Sequence, residues 1–558
     1  MKAPFLKFLT SAALLVCCYN AFSQTGQSPA VLKSNTRLVV VDVVVADSKG
    51  APITDLKQED FTVLEDARQQ RIGAFSFQQS ERAVADDNHA LAPGVVSNRP
   101  RFRSTSLNVI LVDSLNGEFA SHAYALERLI KFLESGPAVQ PTAIYVLEKE
   151  LRLLHDFSTD TKSLKDALAG YRPQGSDRVS TVYMSASPFA SKGNYHTDEN
   201  SVELTLRALD SLARTLAAYP GRKNLIWLSE AFPVNLMIDG VPGASTDPTS
   251  LLSLHAAPAT GNLNPEGAMK EQVHNESLIA PMLANSPDSV PANAGRSNYM
   301  KDIARVSDAL MDAHVALYPI DAAGIGQANH IATQQNLRDM ADRTGGRAFY
   351  NRNDLDVGIR SSIDDGSTYY TLAYYPENKT WDGRFRTIAV KMTRPGVTLR
   401  YRFGYYAINP EANTKRKTSD LSDELGEALG PHAPAFTGLL FQARVLPPAD
   451  RTQKVTVHFA IDPHTISFDH KEDGLEHASV SCAVAVYNEK GSPAKGVKPE
   501  IKTMAGALNP DQYRKMMQDY FPCSIALALP PGKYSLRLGA VDVNSRLIGT
   551  TTASVVVP

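Results

Sequence analysis

Two rhythms alternate along the chain. The first has a period of two and opens in TRLVVVDVVVADSKGAPITDLKQEDFTVLEDARQQRIGAFSF, residues 36–77. Residues 37–46 form a Val-rich run that predicts a strand. DSKG (47–50) predicts a turn with Gly50 in the left-handed region. FTVLED (61–66) and RIGAFSF (71–77) alternate apolar and polar positions, which is strand periodicity. These strands are too few to bury a core alone. Residues 82–104 are polar, contain Pro and Asn, and read as a linker.

From Leu107 the rhythm changes to strands alternating with helices. LNVILVD (107–113), TAIYVLEK (142–149), LRLLHDF (151–157), RKNLIWLSE (222–230), VALYPIDAAG (315–324) and RAFYN (347–351) predict strands. Helical spacing appears over 120–133, 160–171, 201–220, 298–314 and 334–346. Ser158 or Thr159 is a cap for the second of these, and Gly345 terminates the last. This alternation predicts a mostly parallel, Rossmann-like sheet covered on both faces. Residues 232–296 are rich in Pro, Ala, Asn, Ser and Gly and read as an irregular insertion.

Period two then returns in STYYTLAYYPENKTWDGRFRTIAVKMTRPGVTLRYRFGYYA, residues 367–407. The economical arrangement is one β-sandwich built from the strands on either side, with the α/β domain inserted between them. A charged, Pro-containing stretch at 409–433 reads as a linker. Strand-like runs from 436 to 557 predict a C-terminal β-sandwich. The expected organisation is therefore an N-terminal β unit at 30–81 sharing a sandwich with 367–408, an α/β domain at 105–366, and a C-terminal β-sandwich at 434–558. The fold class is multidomain α/β plus all-β.

Length and composition fit this division. The chain has 558 residues, 43% hydrophobic and 21% charged, with a formal net charge of -2. That length implies several domains. The balance of charge gives no reason to expect nucleic acid or an anionic membrane as partner. Residues 1–23 read as a signal peptide. Lys2 and Lys7 precede a short apolar run, and Ala21 and Ser23 stand at -3 and -1 of a cleavage site before Gln24. Cys17 before Cys18 argues against lipidation. No later apolar run is long enough for a transmembrane helix. Export through the general secretory route is expected, to the periplasm or the exterior. Cys17 and Cys18 leave with the signal, so Cys482 and Cys523 remain as a candidate disulfide, with two buried thiols as the alternative.

The ordered series VDVVVADSKGAPITDLKQEDFTVLED, ILVDSLN, LRLLHDFSTD, RKNLIWLSEAFP, YPIDAAG, TGGRAFYNRNDL, YYTLAYYPE and RFRTIAVKMTRPGVTLRYRFGYYA resembles the von Willebrand factor type A-related domain proteins described mainly from Acidobacteria. The resemblance spans residues 37–407. It implies a secreted or envelope protein with a type A-like domain, and no known reaction.

Type A domains bind a divalent cation, usually magnesium, through D-x-S-x-S after the first strand, a threonine on a second loop and an aspartate after the fourth strand. A hard cation takes oxygen ligands. The matching positions are Asp113, Leu115 and Gly117, of which only the first offers a side-chain oxygen. The fourth-strand position falls at Ser229, Glu230 and Ala231. The threonine loop falls near Ser176, Asp177, Ser180 and Thr181. Asp113, Glu230 and Asp321 all end predicted neighbouring strands, the edge where α/β sheets build sites. Ser114, Asn116 and Glu118 are available as replacement oxygens. The metal set Asp113, Glu230 and Asp321 thus reads as a degraded site with no cofactor, the alternative being a rearranged site for Mg or Ca. On the bland reading Asp113 and Asp321 cap helices or hydrogen-bond loop amides.

Other chemistry is thin. G-x-S-x-G, H-E-x-x-H, P-loop and G-x-G-x-x-G motifs are all missing from the sequence. His464, His470 and His477 cluster with Asp462, Asp469, Glu472 and Asp473, but their spacing fits no standard zinc pattern and reads as a solvated loop. The paired tyrosines Tyr369/Tyr370, Tyr374/Tyr375 and Tyr405/Tyr406 predict one ring inward and one at the surface. The leading expectation is a protein-binding, adhesion or assembly module that takes a protein ligand or an envelope component. The alternatives are a secreted hydrolase using Asp113, Glu230 and His122, and a structural envelope component.

Overall fold

The computed structural model describes residues 38–80, 84–85, 91–100, 102–117, 119–135, 140–172, 195–230, 302–303, 305–322, 331–407, 424–448 and 454–558. The expected signal peptide, the insertion 232–296, Glu118, Ala231 and the loop holding Ser176, Asp177, Ser180 and Thr181 lie outside the described residues.

Five strands make the central sheet: β1 (Ser106–Asp113), β2 (Thr142–Leu147), β3 (Leu151–Ser158), β4 (Arg222–Ser229) and β5 (Val315–Asp321). Their order is β3-β2-β1-β4-β5. β2, β1, β4 and β5 run parallel, and β3 returns antiparallel along β2. Every residue of the four parallel strands is buried, which is why they read as unbroken apolar runs. Alternation along each strand divides their side chains between two cores. Leu107, Val109, Leu111 and Trp227 pack against Leu206, Leu209 and Leu212 of the helix Tyr195–Leu216. Ile110, Val112, Ile226 and Leu228 pack against Leu126 and Leu129 of the helix Phe119–Glu134. The chain lays β2 and β3 on one side of β1, then β4 and β5 on the other. The switch point therefore falls between the carboxyl ends of β1 and β4.

Two local expectations are corrected. RAFYN forms no strand but a single parallel bridge from Phe349 to Ile320. The helix Thr161–Gly170 is capped by Asp160, whose side chain accepts from the Lys162 amide, while Ser158 Oγ accepts from the Asp160 amide at 3.0 Å.

Strands before and after this domain share two sheets. Val39–Ala46 pairs antiparallel with Thr368–Tyr374, and Phe61–Glu65 with Phe385–Met392. One core joins them, containing Val41, Val43, Val63, Tyr370, Tyr374 and Val390. Within it the buried Glu65 carboxylate accepts from Tyr374 OH (2.8 Å), Tyr405 OH (3.0 Å) and Arg386 Nη1 (3.2 Å). Tyr369 and Tyr370 are both buried, against the alternation expected from the sequence. Their strand is covered on both sides. Tyr370 faces the β core, whereas Tyr369 OH donates to the Thr105 carbonyl (2.8 Å) and accepts from the Arg222 amide (3.0 Å) at the amino ends of β1 and β4.

The C-terminal unit has two sheets around one core. One runs Phe521–Leu527, Val455–Ile461, Phe441–Leu446, Val95–Ser97; the other runs Asp469–His470, Glu476–Asn488, Gly532–Asp542, Ile548–Val557. The stretch 82–104 is thus more than a linker, because Val95–Ser97 completes the first sheet against Phe441–Leu446. Asn98 fastens it: Nδ2 donates to the carbonyls of Phe436 (2.9 Å) and Leu439 (2.8 Å), and Oδ1 accepts from the Phe441 amide (2.8 Å). Part of the second expected linker is also structural. Leu425, Ala428 and Leu429 are buried against the C-terminal sheet, and buried Arg537 donates to the carbonyls of Ala428 and Pro434.

Asn98→Ala removes three buried hydrogen bonds and strands their backbone partners. We expect a loss of about 2–3 kcal/mol in urea unfolding; an unchanged midpoint would refute the fastening role. Lys223 supplies a pH-dependent check. It is 1% exposed and its Nζ donates to the Tyr219 carbonyl at 2.7 Å. Burial pushes its pKa down from 10.5 to about 7, with Asp42 pulling weakly the other way. Between those values the unfolded chain binds more protons than the folded one, so this group makes stability rise with pH across the window. Lys223→Met should remove that rise, read as the difference in Tm between variant and parent from pH 7 to 10.

Candidate functional site

The site is built at the switch point. Asp113, the last residue of β1, follows Leu107, Val109 and Leu111 on one face of the sheet. Trp227 and Ser229 fall on the same face of β4, because Trp227 pairs with Leu111 and Leu228 with Val112. Ser229 in turn pairs with Asp321 on β5. The row across the carboxyl edge is therefore Asp113, Ser229, Asp321. Glu230 lies one residue further on, outside the row in which the sequence placed it.

Asp113 is 1% exposed and its carboxylate is fully engaged. Oδ1 accepts from the amides of Leu115 and Asn116, each at 3.0 Å. Oδ2 accepts from Asn116 Nδ2 (2.9 Å), Trp227 Nε1 (3.1 Å) and Ser229 Oγ (2.8 Å). Burial raises the Asp113 pKa above the usual carboxylate range; the bonds from Asn116 and Ser229 and the nearby His122 act the other way. Four of the five partners are N–H groups that can only donate, so the geometry fits the ionised form.

The positions around Asp113 are filled by hydrogen bonds and close packing. Asn116 acts as a bracket: its Nδ2 also reaches Thr205 Oγ1 at 2.9 Å, tying the loop to the helix Tyr195–Leu216. Gly117 has φ +122°, and a Cβ there would lie 2.6 Å from Glu230 Cβ and 2.7 Å from its Oε2. Only glycine fits under that side chain. Ser114 Oγ is 3.1 Å from Tyr171 OH, which also lies 2.8 Å from Glu148 Oε1. His122 Nε2 sits 3.3 Å from the Asn116 carbonyl. Asp321 accepts from Gln334 Nε2 at 3.1 Å, and the same amide reaches Asn351 Oδ1. Asp113 and Asp321 thus bond to loop amides and side-chain amides, and neither caps a helix through the bonds described.

Among the described residues, the groups gathered at Asp113 are hydrogen-bond donors rather than the oxygens a divalent cation takes. Such a cation needs free oxygen lone pairs converging on one point. Here Asn116 Nδ2 and Trp227 Nε1 aim N–H groups at Asp113, and Glu230 is drawn over Gly117. Among the described residues no three of His, Cys, Asp and Glu come together as ligands for an ion. The histidine-rich loop separates into independent pairs: His464 with Asp462, His470 with Glu476 and His477 with Asp473. Among the tyrosines, Tyr375 is exposed, while Tyr369, Tyr370, Tyr374 and Tyr405 are buried and hydrogen-bonded. Cys482 and Cys523 stand as free buried thiols, so the structure does not contain the candidate disulfide.

Sequence reasoning named Asp113, Ser114, Asn116, Glu230 and Asp321 and missed Trp227, Thr205 and Tyr171. Trp227 had a readable signal: it stands two residues before Ser229, on the same face of the strand. Thr205 and Tyr171 are brought in from distant elements.

No family model matches the chain, and no curated protein matches it. Similar solved structures include von Willebrand factor type A from Catenulispora acidiphila, 10% identical over 67% of this chain and 81% of that one, with a TM-score of 0.24. BatB, a conserved hypothetical protein from Bacteroides thetaiotaomicron, is 9% identical over 47% of this chain and 97% of its own, with a TM-score of 0.22. Three N-terminal domains of the type V pili tip protein Mfa5 from Porphyromonas gingivalis are 8% identical over 88% of this chain and 99% of theirs, with a TM-score of 0.24. No helix among the described residues is long and apolar enough to cross a membrane.

Asp113→Ala distinguishes a structural carboxylate from a ligand. Removing it strands buried donors on Asn116, Trp227 and Ser229, and we expect a loss of about 3 kcal/mol or more, seen equally with and without EDTA. A carboxylate kept for a cation would behave in the opposite way: without metal, its removal would leave Tm unchanged or raise it.

Proposed function

We infer that the chain is a protein-interaction or assembly module of the cell envelope, built on a von Willebrand factor A-like sheet whose carboxyl edge works without a cation. The observation that carries this reading is the saturation of Asp113 by internal donors. The residue that would anchor a metal or assist a reaction is committed to holding the loop 113–117 in shape. The other edge groups are committed as well: His122 to the Asn116 carbonyl and Asp321 to Gln334. A hydrolase using Asp113, Glu230 and His122 needs a nucleophile, a base and an orienting group within reach of one another, and the bonds made by Asp113 and His122 point inward instead. A net charge of -2 favours a protein partner over nucleic acid. The exported location, periplasmic or extracellular, comes from the reading of residues 1–23.

Calorimetry with magnesium, calcium and manganese on the purified chain from residue 24 to 558 tests the cation-free edge. The expected result is no saturable heat. A one-to-one heat that disappears in Asp113→Ala would overturn it. For the interaction, the immobilised chain should retain a saturable envelope protein equally in EDTA and in magnesium, with the soluble chain competing. Failure to retain any competable protein would overturn that part.

A further inference from the structure

The strand Ile72–Gln79 ends one of the sheets of the first β unit. It pairs antiparallel with Thr368–Tyr374 on one side, and among the described residues no strand pairs with its other side. The Ser80 amide donates to the Ser367 carbonyl at 2.7 Å. That bond fixes the alternation of the ladder. The backbone groups of Ser76 and Gln78 turn toward Thr368–Tyr374, and those of Phe75, Phe77 and Gln79 turn outward. The Thr105 hydroxyl, 3.5 Å from the Gln79 carbonyl, reaches the end of this outward row. The outward groups of Phe75 and Phe77 meet no backbone partner among the described residues.

Sheets guard such edges with charges, proline or bulges. Two other edge strands of this chain are guarded. Leu151–Ser158 carries Arg152 and Asp156 and two register shifts, and Glu500–Leu508 carries Glu500 and Lys502. IGAFSFQQ, residues 72–79, has no charge and no proline, and its one register shift lies at its start, beside Gly73. Phe75 and Phe77 also extend the core to this edge. Their ring centroids lie 5.8 and 5.0 Å from that of Tyr370, and Phe61 lies 5.8 Å from Phe75. Phe77 is still 36% exposed, so the aromatic row stops uncovered at the edge.

We propose that this edge is covered by a second copy of the chain, the two Ile72–Gln79 strands pairing antiparallel about a two-fold axis at Ser76. The alternation selects the register. Only residues whose backbone groups point outward can exchange bonds, so Phe75 takes the partner's Phe77 and Phe77 takes the partner's Phe75. Centring on Phe75 or Phe77 instead would set a phenylalanine against Gly73 or Gln79. Centring on Ser76 makes both pairs aromatic, which is the favourable cross-strand match. The axis stands perpendicular to the sheet, so the aromatic row continues on one face and covers Phe77. Ser76 meets the partner's Ser76 on the other face, where Gln78 Nε2 donates to Ser76 Oγ at 3.0 Å. The strand carries no charge to repel its copy, and the net charge of -2 adds little repulsion. The contact uses the same patch on both copies and closes at two. A single ladder of eight residues is a small interface, so the dimer is weak and reversible.

This dimer does not depend on the reading of the Asp113 edge, and retention of another envelope protein is a separate readout. Sedimentation of the full chain up to about 100 µM should show the mass rising from one copy toward two. Ser76→Lys sets like charges face to face at the axis. It should hold the chain at one copy, with Tm and circular dichroism unchanged. Ser76→Cys should cross-link through residue 76 under mild oxidation, because opposite Cα atoms in such a pair stand about 4.5 Å apart. Ala507→Cys, exposed on the charged Glu500–Leu508 edge, should not. Mass spectrometry of the linked peptide identifies the position. A chain that stays single at that concentration, or a dimer that Ser76→Lys leaves intact, overturns the proposal. So does Ser76→Cys linking no faster than Ala507→Cys. If Ser76→Lys fails to fold, the cross-linking comparison decides.

Discussion

A buried carboxylate at the end of a buried strand must be matched by an ion or by hydrogen-bond donors. Here Asp113 is matched by donors, and the carboxyl edge of the sheet is organised around them. The amides of Leu115 and Asn116 fold the loop back on the strand end. Trp227 and Ser229 bind β1 to β4 across the topological switch. Asn116 passes the constraint to the helix Tyr195–Leu216 through Thr205. Gly117 then makes room for Glu230. An asparagine and an indole thus gather the loop and the neighbouring strand at this carboxylate.

The same economy governs the assembly of the three units. The chain passes from the first β unit into the α/β domain by way of a strand in the C-terminal unit, Val95–Ser97. Tyr369 links the first β unit to the amino ends of β1 and β4. Thr437 links the C-terminal unit to the end of the helix Tyr195–Leu216 by donating to the Thr215 carbonyl and accepting from the Ala218 amide. Arg214 adds ion pairs to Asp210 and Glu424 at the same junction. These contacts tie the sheet's position to both β units while leaving the carboxyl edge on the side away from Tyr369.

Much of this was legible in the chain. Fully buried parallel strands appear as apolar runs, so β1, β4 and β5 could be read directly, and Asp113 and Asp321 could be placed at their ends. Period-two stretches such as 39–46 and 385–392 could be read as strands because one face of each meets a core. What misled was context. RAFYN has strand composition but makes one bridge. Val95–Ser97 lies in a polar stretch, and its partner is more than 340 residues away in sequence. Tyr369 breaks the expected alternation because a second domain covers the outer face of its strand.

The sequence by itself determined the period of each element, the strand ends that carry carboxylates, and that Leu115 and Gly117 offer no side-chain oxygen. Those are local properties, set by residue type and spacing. Tertiary structure decided what meets Asp113. Ser229, not Glu230, stands beside Asp113 because strand register selects which residue faces the row. Trp227 reaches that carboxylate, and Thr205 reaches the Asn116 side chain beside it, from elements far apart in the chain. Cys482 and Cys523 share a core only because two sheets close on it. Such meetings depend on register and packing between distant segments, and no local pattern encodes them.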